Sequence, residues 1–251
     1  MGKRRRNKKI SVIEFLFALF LIVVFAIYEY INPSTEYLGQ VNENIEKPNV
    51  IVDLSTIPEY ASNPYVEINN SVPYFTKADY TMNAFEMYSE WDSLGRSGVA
   101  YANICMEIMP KEGEERGEIG MVRDLSGWQQ KRYDDIIKDK YLYNRCHLIG
   151  WQLAGENANK KNLITGTRYL NTEGMLPFEN MVAEYIRDNP NNHVLYRVTP
   201  IYEEDNLLAS GVQMEAISVE DEGEGICFNV YCYNVQPGIL IDYSTGESFE
   251  E

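Results

Sequence analysis

The sequence predicts an α+β fold, a mostly antiparallel sheet with helices packed on it, preceded by one N-terminal transmembrane helix. Three observations predict it. His193 to Thr199, Gly211 to Val219 and Gly225 to Val235 are rich in β-branched and aromatic residues, with turn residues between them, which is the pattern of a strand meander. Between Leu176 and Arg187, the residues Phe178, Met181, Val182, Tyr185 and Ile186 recur at helical spacing, with Pro177 near the start and Asn189-Pro190 beyond the end. Val12 to Ile31 is an apolar run interrupted only by Glu14 and Glu29.

That run is long enough to cross about 30 Å of hydrocarbon. Lys3, Arg4, Arg5, Arg6, Lys8 and Lys9 precede it, so the positive-inside rule keeps residues 1–31 as a cytoplasmic tail and anchor, with everything after Ile31 outside the cell membrane. A cleaved signal peptide is the alternative, but no small-x-small cleavage site stands between Ala26 and Ser34. Residues 32–74, with five prolines in polar sequence, read as an extracellular linker in which Val50 to Val52 and Tyr65 to Ile68 could add edge strands. Residues 75–251 form the remaining domain, with a strand over Val99 to Ile104 and a helical turn over Tyr133 to Lys138.

The chemistry gathers between Leu142 and Asn180. A short strand, Tyr141 to Tyr143, runs into His147, one of only two histidines in the chain. An imidazole with an ordinary pKa of about 6.5 is mostly neutral near neutral pH and can take a proton, although a lone histidine can equally serve packing. A Gly/Asn/Lys-rich loop follows, then Asn162, Asn171, a break allowed by Gly174, and Glu179 on the helix. Amide and carboxylate oxygens in this layout suit one hard cation; Mg²⁺ takes few protein ligands and keeps its waters. Asparagines also cap helices and turns, so that reading stays beside the metal one. His193, at the start of a strand with no second catalytic group near it in sequence, reads as structural.

Asn144-Arg145-Cys146-His147 resembles the Asp-Arg-Gly-His signature of the bacterial DNA/RNA non-specific endonucleases of the ββα-metal, or His-Asn finger, superfamily, most closely their membrane-anchored and secreted Gram-positive members. Asn162, Asn171 and Glu179 keep that family's intervals of nine and eight residues. The resemblance spans roughly Tyr80 to Tyr243. It implies a ββα-metal finger packed on the sheet and a Mg²⁺-dependent endonuclease, with Mn²⁺ or Ca²⁺ as substitutes, acting on DNA or RNA and leaving 5′-phosphate ends. His147, Arg145 and Glu179 are the catalytic expectations, Asn171 and Asn162 the metal ligands, and Arg168, Lys160 and Lys161 the substrate contacts. Arg145 has a second expectation, pairing with a buried carboxylate. Asn144 stands where the family has aspartate, and Cys146 where it has Gly or Ser.

Cys105, Cys146, Cys227 and Cys232 have no Cys-x-x-Cys spacing and read mainly as buried small hydrophobes. The net charge of −16 opposes a nucleic-acid partner, and removing residues 1–31 leaves 16 basic against 36 acidic side chains, a net of −20. Basic residues in the site segment, with Lys131 and Arg132 before it, and a bound cation would offset that field locally. Two functions therefore stand: an anchored extracellular nuclease, and a catalytically silent surface binding protein that keeps the nuclease fold.

Overall fold

The computed structural model describes residues 52–251, and the expected anchor and the first part of the linker lie outside them. One compact unit runs from Val50 to Glu251. Its frame is a six-stranded antiparallel sheet in the order β1-β8-β7-β6-β3-β2. The strands are β1 (Tyr65–Glu67), β2 (Phe85–Tyr88), β3 (Ala100–Ile104), β6 (Val194–Ile201), β7 (Gly211–Ser218) and β8 (Cys227–Tyr233). The three C-terminal runs form the expected meander, with Val194 opposite Ser218 and Gly211 opposite Tyr233.

Strand alternation explains why these runs carry polar residues among apolar ones. Ala102, Tyr196, Met214 and Val230 face one side and are buried in the main core. On the other side Tyr101, Arg197, Glu215 and Asn229 stand in register across four strands. Arg197 and Glu215 form a buried ion pair at 2.8 Å, and the guanidinium lies 4.7 Å from the Phe75 ring centroid. The backbone N–H of Tyr74 donates to Glu215 at 2.8 Å, and Asn229 donates to the carbonyl of Val72 at 2.9 Å. Residues 52–74 are thus laid on the sheet, with β1 paired to β8 and Leu54, Ile57 and Tyr60 packed beside Tyr231 and Tyr233. The compact unit consequently starts well before residue 75.

On the main-core side lies a hairpin and a helix. β4 (Tyr143–His147) pairs antiparallel with β5 (Leu163–Thr167), a π-helical turn covers Leu170–Met175, and α2 (Leu176–Asp188) follows; α1 (Trp151–Ala154) sits inside the hairpin's connection. Phe178, Val182 and Ile186 of α2 pack with Cys146, Ile164 and Leu170 on the sheet. Met181, expected on the apolar face, is exposed, and the buried stripe runs instead through Phe178, Glu179, Val182, Ala183 and Ile186. Two local expectations change. The strand occupies the signature itself and not Tyr141 to Tyr143, because Tyr141 bridges to Arg132 and pairing with β5 begins at Tyr143. Gly174 makes no break: it is buried in the π turn, where a Cβ would lie 3.3 Å from Cys232.

Candidate active site

A cavity of about 560 Å³ opens between the hairpin and α2, lined by His147, Asn144 and Arg145 of β4, Asn171 of the π turn, Glu179 of α2, and Arg116 from an upstream loop. Local structure explains how residues far apart along the chain meet there. His147 ends β4, Asn171 is the second residue of the turn that follows β5, and Glu179 lies on the stripe of α2 that packs inward. π turns are frequent at functional sites because they redirect side chains within a helix.

His147 is buried, with 6 % of its surface exposed. Its Nε2 lies 2.8 Å from the backbone carbonyl of Asn157, which can only accept, so Nε2 carries the proton. Its Nδ1 therefore holds a lone pair, and the Arg116 Nη2 lies 3.1 Å from it. Burial, reinforced by the Arg116 charge and opposed by the Asn157 carbonyl, pulls the imidazole down to about 4. The side chain is neutral at physiological pH. Asn157 also accepts from Arg116 Nε through its side-chain oxygen at 3.4 Å, so one residue contacts both members of the pair.

Glu179 has the opposite shift. Burial pushes its carboxyl up to about 7, with Gln152 and the Arg116 charge lowering it less. Gly150 gives it room: a Cβ there would lie 2.6 Å from a Glu179 carboxylate oxygen. Asn171 accepts from the Cys146 thiol at 3.2 Å, and burial holds that thiol well above its ordinary range and protonated.

His147, Arg145, Asn171 and Glu179 are thus brought to one cavity. Arg145 meets no buried carboxylate; it donates to the carbonyls of Val122 and Gly120 and lies 4.5 Å over the Trp128 ring. Asn162 is a correction. It is fully buried and outside the cavity lining, its Oδ1 accepting from Ile149 N at 2.8 Å and its Nδ2 donating to Ile149 O at 2.9 Å, so both ends of the amide serve the fold and not a metal. Lys160 and Lys161 are also displaced, each drawn into an exposed ion pair, with Asp124 and Glu90. Arg168 turns to Asp139 and Thr172. None of these three lines the cavity. His193 pairs with Glu220 at the start of β6 and is also outside it.

Arg116 is the site residue that the sequence reading missed. It stands in an exposed loop among Glu112, Glu114, Glu115 and Glu118, where charge alone reads as solvated surface. A lone arginine inside an acidic run, upstream of the histidine signature, is the signal that could have found it. Asn144 does not touch His147. It stands three residues away on the same strand and lines the same cavity, but the imidazole takes its hydrogen-bond partners from Asn157 and Arg116.

Comparison with known proteins identifies the family. The family model for DNA/RNA non-specific endonucleases matches residues 76–220, and the chain belongs to that family of nuclease hydrolases. A deoxyribonuclease of Streptococcus dysgalactiae subsp. equisimilis is 23% identical over 290 aligned positions, covering 98% of this chain and 86% of the relative. Among solved structures, NucA from Streptococcus agalactiae with magnesium bound superposes with a TM-score of 0.65 at 24% identity, covering 79% of this chain and 92% of that one. The Sda1 nuclease with a bound zinc ion superposes with a TM-score of 0.62 at 24% identity over 75% and 97% of the two chains.

The two shifted groups act on stability with opposite signs. The folded value of Glu179 lies above its ordinary 4.5, so the stability due to its neutral form is complete below about pH 4.5 and is lost as pH rises through about 7. The folded value of His147 lies below its ordinary 6.5, so its contribution is present above that value and lost as pH falls through about 4. Without divalent cations, Glu179→Gln should therefore gain stability relative to wild type between pH 5 and pH 8, by about 3 kcal/mol. Urea denaturation at both pH values checks this, and a constant difference between the two proteins would contradict it.

Proposed function

We propose that this chain is a sequence-non-specific endonuclease that hydrolyses phosphodiester bonds of DNA, with RNA as a second substrate, using a water deprotonated at His147. The observation that carries the reading is the buried, neutral imidazole whose Nε2 proton is held by the Asn157 carbonyl, leaving its other nitrogen basic beside a cavity arginine. A base with that proton arrangement has one task open to it, which is to accept a proton at Nδ1.

The donor set fits a hard divalent cation. Asn171 offers an amide oxygen, and Glu179 is a buried carboxylate that its protein surroundings leave under-neutralised, as its raised value records. Among the described residues no three His, Cys, Asp or Glu side chains group as a metal site, so an ion here would keep most of its waters, as Mg²⁺ does. Asn171 would hold the ion directly and Glu179 would accept hydrogen bonds from its waters. When bound, the cation supplies charge stabilisation for the phosphoryl oxygens and the leaving 3′ oxygen. The magnesium named in the NucA structure agrees with this choice of ion.

In the reaction His147 Nδ1 takes the proton as water attacks phosphorus in line, the P–O3′ bond breaks with the leaving oxygen taking a proton from solvent water, and the products carry a 5′-phosphate and a 3′-hydroxyl. Arg116, released from Nδ1, turns to the phosphate and neutralises charge that grows in the transition state. Arg145, fixed by two carbonyls and Trp128, adds a static positive charge to the cavity wall. These two arginines offset the acidic chain where phosphate would bind.

The domain is proposed to work outside the cell, tethered by residues 12–31; the span-length apolar run behind six basic residues supports this. Protease treatment of intact cells should remove the domain, and full protection would contradict that location. For the chemistry, His147→Gly should be inactive in plasmid cleavage and partly restored by imidazole, with the restored rate rising as imidazole is deprotonated. Asn171→Ala should lose activity while remaining folded. Near-normal cleavage by His147→Gly with no response to imidazole would exclude His147 as the base.

A further inference from the structure

We propose that Cys146 is a positioning residue for Asn171: its thiol proton orients the amide so that one oxygen lone pair is held by sulfur and the other is presented to a divalent cation. The inference rests on the reading of Asn171 as metal ligand given above.

Three observations carry it. Cys146 is fully buried on β4, and strand alternation turns it away from His147 toward the π turn. Its Sγ lies 3.2 Å from Asn171 Oδ1 and 3.5 Å from Met175 Sδ, so the side chain touches the π turn at both its second residue and its last. Space for the sulfur is provided on the partner strand: a Cβ on Gly166 of β5 would lie 2.6 Å from Cys146 Cβ and 3.2 Å from Sγ. Cys146 and Gly166 are therefore complementary, a larger residue on one strand of the hairpin and none on the other.

The chemistry gives the contact a consequence. An amide has an oxygen end that can ligate a cation and a nitrogen end that cannot, and the two have almost the same shape. In the geometry present the thiol donates to the oxygen end, a stronger acceptor for S–H than the amide N–H is a donor to sulfur, and this favours that orientation. Fixing that orientation before the ion arrives removes part of the ordering cost of binding, as hydrogen bonds behind metal ligands generally do. Alanine would keep much of the packing and lose the donor. Serine would keep a donor in nearly the same volume.

The test is calorimetric titration of Mg²⁺ alone into the detergent-solubilised full-length chain, comparing wild type, Cys146→Ala, Cys146→Ser and Asn171→Ala, with metal-free melting temperatures alongside. Cys146→Ala should bind Mg²⁺ about tenfold more weakly, the lower end of what is usual for such supporting groups. Cys146→Ser should remain within about threefold of wild type, because its hydroxyl donates. Asn171→Ala should show no binding. If Cys146→Ala binds as wild type while Asn171→Ala does not, Cys146 has no positioning role and the ligand assignment stands. If Ala and Ser weaken binding equally, in step with their melting temperatures, the sulfur acts as filler and the proposal fails. Wild-type affinity in Asn171→Ala would overturn the ligand assignment and this inference with it.

Discussion

The arrangement depends on one buried amide. Asn162, just before β5, closes two hydrogen bonds on the backbone of Ile149, just after β4, and its own carbonyl accepts from Leu148 N at 2.9 Å. The side chain supplies what a neighbouring strand would have supplied, which lets the chain leave β4 and turn at Gly150 with the Ile149 donor and acceptor both satisfied. Removing it would strand two buried backbone groups, each at a cost of about 1–3 kcal/mol. The clamp also fixes His147, two residues before Ile149, and Gly150, one residue after it, against which Glu179 lies. Base and carboxylate are therefore placed by the same contact although neither touches it.

Electrostatics then divides the cavity's work. His147 and Glu179 are both buried, and burial alone pushes an imidazole down and a carboxyl up, so each is driven toward its neutral form. For the imidazole, proposed as the base, the neutral form is the one that can accept a proton. For the carboxylate the charged form is the useful one, and it requires a counter-charge; the Arg116 charge lowers it only in part, which is the gap that a divalent cation would fill. Arg116 thus faces both groups, adding to burial in keeping one unprotonated and partly neutralising the other. A chain of net charge −16 can hold such a cavity because two arginines line its wall while the paired lysines remain on the exterior.

The parts legible in the sequence are those with local causes. The meander strands could be read from residue type and spacing, and α2 from its period, because both depend on neighbours along the chain. His147, Asn171 and Glu179 could be picked out because their signature and spacing resemble those of a known nuclease family, and the hairpin and helix bring them to one cavity. Asn162 was misassigned because an asparagine amide serves equally as a cation ligand and as a backbone mimic, and only the position of Ile149 decides between them. The ion pairs of Lys160 and Lys161 could not be read because their partners, Asp124 and Glu90, lie far away in sequence. Arg116 was missed for the same reason, since its contact with His147 spans 31 residues. The π turn has no residue signature in the sequence.

That His147 is neutral, protonated at Nε2 and free to accept at Nδ1 can be observed directly, because the chain contains only two histidines. Selective ¹⁵N-histidine labelling gives two ring systems, and a His193→Gln variant assigns them. Across a titration from pH 8 to pH 4 without divalent cations, the His147 ring should keep the nitrogen shifts of the Nε2–H tautomer and begin to take up a second proton only near the lower end. A neutral ring that carries its proton on Nδ1 would contradict the assignment of His147 as the base at that nitrogen, and a ring that charges near pH 6.5 would contradict the burial that holds it neutral.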